Sequence, residues 1–80
     1  MKIVVYGAPG CGQCLLTEKA LKRKSIEFEK RDFPTQPQQI KDAFIADGLR
    51  ALPIVVVYDN EIVIDKWTGF RPDFISKLTP

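Results

Sequence analysis

The feature that most constrains this chain is a single C-x-x-C, Cys11-Gly12-Gln13-Cys14, set between an apolar run at residues 2–6 and a stretch rich in helix formers at residues 12–24. The chain holds two cysteines and no histidine. Those counts exclude Ser-His and Cys-His nucleophilic machinery and every His-ligated metal site, so the chemistry runs mostly through sulfur. A disulfide between residues three apart closes too small a loop to constrain the unfolded chain much, which argues against a structural staple. Structural zinc wants four ligands. Only a dimer sharing four thiolates, or a cluster bridged with outside thiols, would rescue a metal reading.

Eighty residues with 45% hydrophobic and 28% charged side chains suit one small globular domain, residues 1–80, and leave no room for a two-domain enzyme. The run at residues 1–6 leads straight into Gly7 and Pro9 and lacks the cationic start, long apolar stretch and cleavage site of a secretory signal. No stretch approaches the apolar length of a membrane span. A cytoplasmic location is the expectation.

Strand and helix patterns alternate along the chain. Residues 2–6 form a continuous apolar strand of the kind buried on both faces. Residues 7–10 are a loop, residues 12–24 a helix, and residues 26–32 alternate like a half-exposed strand. Thr35 or Gln36 is placed to cap a second helix with Pro37 at its first position, an apolar stripe of Ile40, Ala43 and Phe44, and Gly48 at its end. Pro53 precedes a strand at residues 54–58, which a two-residue turn, Asp59-Asn60, joins to a strand at residues 61–65. A last helix starts near Pro72, buries Phe74, Ile75 and Leu78, and runs to the end of the chain. The order β-α-β-α-β-β-α with right-handed crossovers gives an α/β fold, a four-stranded mixed sheet flanked by three helices.

A C-x-x-C after a strand and opening a helix, within a βαβ unit, is the sequence sign of a thioredoxin-like redox site. Three-residue spacing at a helix start brings the sulfurs within disulfide reach. The unpaired N–H groups and positive dipole end favour a thiolate at Cys11, so its pKa is expected below that of a free cysteine. Cys14 lies in line with Thr17 and Leu21 along the edge of the apolar face and should be the more buried sulfur. Cys11 is therefore read as the attacking nucleophile and Cys14 as the resolving thiol that leaves the Cys11–Cys14 disulfide. Gly10 and Gly12 leave the nucleophile open to a partner's backbone. In a thioredoxin-like fold Leu52-Pro53 sits next to the redox helix, where a cis peptide bond is expected.

The segments Cys11-Gly12-Gln13-Cys14 with Thr17, Phe28-Glu29, Arg50-Ala51-Leu52-Pro53 and above all Trp67-Thr68-Gly69-Phe70-Arg71-Pro72-Asp73 resemble the NrdH-redoxins, glutaredoxin-like proteins of thioredoxin fold. The resemblance covers nearly the whole chain. It implies electron donation to class Ib ribonucleotide reductase by a monomer that binds no cofactor and is itself reduced by thioredoxin reductase and NADPH. It implies a partner-binding surface at Gly10, Gly12, Gln13, Leu52, Pro53, Trp67, Thr68, Gly69 and Phe70, with Trp67 and Phe70 as its apolar anchors. Glutathione-binding glutaredoxins usually show T-V-P and G-G-x-D where this chain reads Ala51-Leu52-Pro53 and Thr68-Gly69-Phe70-Arg71, which argues against a tight glutathione site. A glutathione-dependent glutaredoxin is the alternative, and an iron-sulfur-binding module a more distant one.

Lys19, Lys22, Arg23 and Lys24, with Lys30 and Arg31, concentrate positive charge near the first helix. A net charge of only +2 and no interleaved aromatic pattern favour a solvated face over nucleic-acid binding. These cations are suited to steering an acidic partner.

Overall fold

The computed structural model describes residues 1–80. Its elements are β1 (Lys2–Gly7), α1 (Gly12–Arg23), β2 (Glu29–Asp32), α2 (Gln38–Ala46), β3 (Ile54–Asp59), β4 (Ile62–Thr68) and α3 (Pro72–Ile75). The strands form one sheet in the order β2-β1-β3-β4. β1 runs parallel to β2 and antiparallel to β3, and β3 and β4 form an antiparallel hairpin. This is the thioredoxin-like fold anticipated from the order of elements.

Strand alternation builds two apolar layers from the central strands. Ile3 and Val5 of β1, with Val55 and Val57 of β3, point to the face covered by α1 and α3, where Leu21, Ile26, Trp67 and Ile75 complete the core. Val4, Tyr6, Ile54 and Val56 point to the opposite face, against Phe33, Phe44, Leu49 and Leu52. Each fully buried Val, Leu or Ile contributes about 1.5–3 kcal/mol, so the β1–β3 pair holds most of the stabilising surface.

Both long helices stop in the same way. Past α1, Ser25 has φ +59°, its N–H donates to the Lys22 carbonyl, and the Ile26 N–H donates to the Leu21 carbonyl. Past α2, Gly48 has φ +80°, with Gly48 N–H on the Ile45 carbonyl and Leu49 N–H on the Phe44 carbonyl. These are Schellman endings. The first shortens the expected strand at residues 26–32. Ile26 spends its N–H on the helix, and ladder pairing begins only at Glu29, opposite Val4.

Other boundaries also differ from the sequence reading. The residue preceding α2 is Pro37, with no side-chain cap; Thr35 is instead held in a turn by Asp32, whose Oδ2 accepts the Thr35 N–H at 3.1 Å. The stripe expected on α2 is mostly open: Ile40 and Ala43 are exposed, and Phe44 alone of the three packs, edge-on to Tyr6 at 5.0 Å. The hairpin turns at Asn60-Glu61, not Asp59-Asn60, because Asp59 still pairs with Ile62 while Asn60 and Glu61 take φ +50° and +68°. β4 continues past residue 65 to Thr68, with an irregularity in register opposite Val57 and Tyr58. α3 is one turn long and ends at Ile75 instead of running to the chain end. Lys24 of the α1 terminus fastens it, donating from Nζ to the carbonyls of Ile75 at 3.1 Å and Ser76 at 2.8 Å.

Candidate functional site

The C-terminal end of β1 delivers the chain into a tight loop, residues 8–11, that sets the first cysteine at the cap of α1. Gly10 takes φ +76°, a conformation side-chain-bearing residues rarely adopt, and the Cys11 N–H closes the loop on the Ala8 carbonyl at 3.3 Å. Cys11 is the N-cap residue, with extended φ −84° and ψ 105°. Caps are usually oxygens; here the Cys11 sulfur takes that place and accepts the Cys14 N–H at 3.2 Å.

Cys11 and Cys14 are joined by a disulfide with Cα atoms 5.3 Å apart. The sulfurs differ in environment: Cys14 is 3% exposed, while Cys11 is half-buried with open glycine and glutamine neighbours at residues 12 and 13. The hydrogen bond to Cys11 comes from backbone, at the positive end of the helix dipole, so negative charge arising on Cys11 is met without a cationic side chain. A dithiol so placed can exchange with an outside disulfide through its exposed member and close on its buried member.

Two features around the pair escaped the sequence reading. Gly7 packs against Cys14 so closely that a Cβ there would lie 3.1 Å from the Cys14 sulfur. Its strand-end glycine was the available signal, since close approach of backbone to a functional group is one reason for glycine in that position. Leu15 and Leu16 are 53% and 49% exposed, an apolar pair beside the motif that had been read only as helix formers. Leu15 lies one helical turn beyond Cys11, on the same side of α1.

Three loops meet at the pair. The Leu52–Pro53 peptide bond is cis, and Pro53 is fully buried. Gly69, at φ +77°, donates its N–H to the Pro53 carbonyl at 2.8 Å, and Phe70 donates its N–H to Gln13 Oε1 at 3.0 Å. Pro53 was expected on the partner surface, but its side chain is buried; Gly10, Gly12, Gln13, Leu52, Thr68, Gly69 and Phe70 keep some exposure in these loops and form their rim. Trp67 does not. It was expected to present its ring to a partner, but it is 3% exposed and stacks on Phe74 with ring centroids 5.1 Å apart. The reason is its strand register: opposite Val55, it points to the α1/α3 face, where the apolar core takes it in.

The rest of that segment also turns on itself. Arg71 donates from Nε and Nη2 to the two carboxylate oxygens of Asp73, at 3.1 and 2.9 Å, and lies over the Phe74 ring at 4.4 Å. These bonds hold the Asp73 carboxyl below its usual pKa. Of the basic residues, Lys24 is spent on α3, Lys30 pairs with Glu18 at 3.5 Å, and Arg31 pairs with Glu29 and reaches the Tyr6 hydroxyl at 3.3 Å. Lys19, Lys22 and Arg23 remain on the exposed side of α1. No three His, Cys, Asp or Glu side chains are grouped to hold a metal ion, and no helix is long and apolar enough to cross a membrane.

Comparison with known proteins places this geometry. Residues 3–63 match the glutaredoxin family model. The chain is 35% identical over all 80 residues to the glutaredoxin-like protein NrdH of Escherichia coli K12, covering 91% of that protein, and 36% identical to the NrdH of Salmonella typhimurium with the same coverage. Its structure superposes on the NrdH-redoxin from Escherichia coli, described for its thioredoxin-like activity profile, with a TM-score of 0.84, 34% identity and coverage of 100% of this chain and 97% of that one. A glutaredoxin from Archaeoglobus fulgidus shares the fold at a TM-score of 0.72 and 22% identity, over 96% of this chain and 84% of that one.

Proposed function

The chain belongs to the glutaredoxin family, among its NrdH-like members, and we propose that it is a thiol–disulfide electron carrier that reduces class Ib ribonucleotide reductase and is itself reduced by thioredoxin reductase. The observation that carries this reading is the asymmetric pair: a half-exposed sulfur capping α1, disulfide-bonded to a buried one in its first turn. In the reduced protein the Cys11 thiolate attacks the reductase disulfide. Cys14 then attacks the Cys11 sulfur of the mixed disulfide, and the client leaves as a dithiol while the Cys11–Cys14 disulfide forms. The electrons come from NADPH by way of thioredoxin reductase, with no cofactor bound to the carrier.

Docking falls to the rim of Gly10, Gly12, Gln13, Leu52, Thr68, Gly69 and Phe70, with Leu15 as an added apolar contact. Trp67 and Phe74 support that rim from the core. The cations left unpaired on α1 steer an acidic client surface. The carrier works as a cytoplasmic monomer and binds neither nucleic acid nor membrane.

The roles of the two sulfurs are tested by trapping. Cys14→Ser should accumulate a mixed disulfide with the ribonucleotide reductase catalytic subunit, linked through Cys11, on non-reducing electrophoresis and peptide mapping. Cys11→Ser should yield no adduct. An adduct linked through residue 14 in the Cys11→Ser protein would reverse the assignment.

A further inference from the structure

We infer that Thr17 is a positioning residue for the resolving sulfur: its hydroxyl donates a hydrogen bond to Cys14 as that sulfur becomes a thiolate. The inference deepens the proposed exchange reaction and rests on it. Thr17 is 0% exposed, and its Oγ1 is buried with no hydrogen-bond partner. A buried hydroxyl left unpaired is unfavourable, and one in this place calls for a reason. It follows Cys14 by three residues, so the two lie on one face of α1. Helical side chains lean toward the N-terminus, which lays Thr17 over the turn that bears Cys14.

In the disulfide, Cys14 is neutral and its sulfur needs no donor. After Cys11 has attacked a client, Cys14 is a free thiol that must lose its proton in a pocket walled by Gly7. An unsolvated thiolate there is costly. The Cys14 N–H is already directed at Cys11, and Glu18, the buried carboxylate of α1, pairs with Lys30. Two buried donors are left uncommitted, the Thr17 hydroxyl and Trp67 Nε1; of these Thr17 alone lies on the helix that bears Cys14, whereas Trp67 belongs to β4. In the step itself the Cys11–Cys14 bond forms and the bond from Cys11 to the client sulfur breaks. The electron pair leaves with the client sulfur, which takes up a proton in place of the one Cys14 released.

The test follows reduced protein mixed with equimolar 5,5′-dithiobis(2-nitrobenzoic acid) in a stopped flow. The first thiol released reports attack by Cys11 and the second reports closure by Cys14. Thr17→Val, which keeps shape and removes the hydroxyl, should leave the first phase unchanged and slow the second about tenfold, whereas Thr17→Ser should stay within about twofold of the parent. Thr17→Ala serves in place of valine if that variant does not fold, as judged by circular dichroism. Equal second phases in the parent and Thr17→Val would overturn the inference alone. A serine variant as slow as valine, or slowing of both phases together, would also overturn it by showing a packing role. A parent protein with no second phase would overturn the exchange reading and this inference with it.

Discussion

The side-chain carbonyl of Gln13 accepts the backbone N–H of Phe70 at 3.0 Å, tying the residue between the cysteines to a segment 57 positions away. Because Gly69 is bonded in turn to the Pro53 carbonyl at 2.8 Å, the redox loop, the cis-proline loop and the entry to α3 are held as one unit. The same contact explains the glycine at residue 69: its φ is +77°, and a Cβ there would lie 3.0 Å from Gln13 Oε1.

Removing this link should cost little stability and more activity. Gln13→Ala loses one exposed hydrogen bond, about 0.5–1.5 kcal/mol at most, because water can take over the Phe70 N–H. A urea midpoint close to the parent's, with a reduced rate of exchange with a protein disulfide, is the expected pair of results. An unchanged exchange rate would show that the unit need not be rigid.

Gly7 should be far less tolerant than Gly12. In Gly7→Ala the new methyl meets the Cys14 sulfur at 3.1 Å and its Cβ at 3.3 Å in a closely packed interior, and a loss of about 1–3 kcal/mol is expected. Gly12→Ala meets nothing within 4 Å and should hold or gain stability, by about 0.5–1 kcal/mol, since alanine is the better helix former. Urea unfolding of the two oxidised variants side by side measures the contrast.

The order of elements was legible because each strand and helix has its own periodicity, and the redox pair was legible because its spacing and context are local. The errors fall where local pattern gives way to packing. Asn60 and Glu61 hold the positive φ values of the hairpin although Glu61 is not a usual turn residue, since the pairing of Asp59 with Ile62 fixes the loop there. Ile40 and Ala43 show a helical stripe, yet of that stripe only Phe44 packs on the sheet, and a cleft lined by Phe33, Ile45, Leu49, Arg50, Leu52 and Ile54 stays open beside it. Trp67 was misjudged because its facing depends on register within β4, and an irregularity near Val57 and Tyr58 intervenes. Thr17 was noticed as part of a motif, but only burial shows that its hydroxyl is unpaired.

Asp73 should titrate below an ordinary aspartate, chiefly because Arg71 hydrogen bonds to its carboxylate. Its pKa is depressed on folding, so the associated stabilisation is present above the unfolded-state carboxylate pKa and is lost as pH falls through the folded value. Both groups are exposed, so the effect on overall stability is slight. Carboxyl-carbon NMR titration should show the Asp73 midpoint move up to the ordinary range in Arg71→Gln; an unmoved midpoint would contradict the assignment.

The central claim is that this glutaredoxin-shaped dithiol takes its electrons as a thioredoxin does. The most direct measurement is NADPH oxidation at 340 nm with the oxidised protein and a disulfide substrate, once with thioredoxin reductase and once with glutathione plus glutathione reductase. Rapid turnover with thioredoxin reductase and little with glutathione, both abolished in Cys11→Ser, is the predicted result. No reduction of the Cys11–Cys14 disulfide by thioredoxin reductase, with brisk turnover through glutathione, would contradict it.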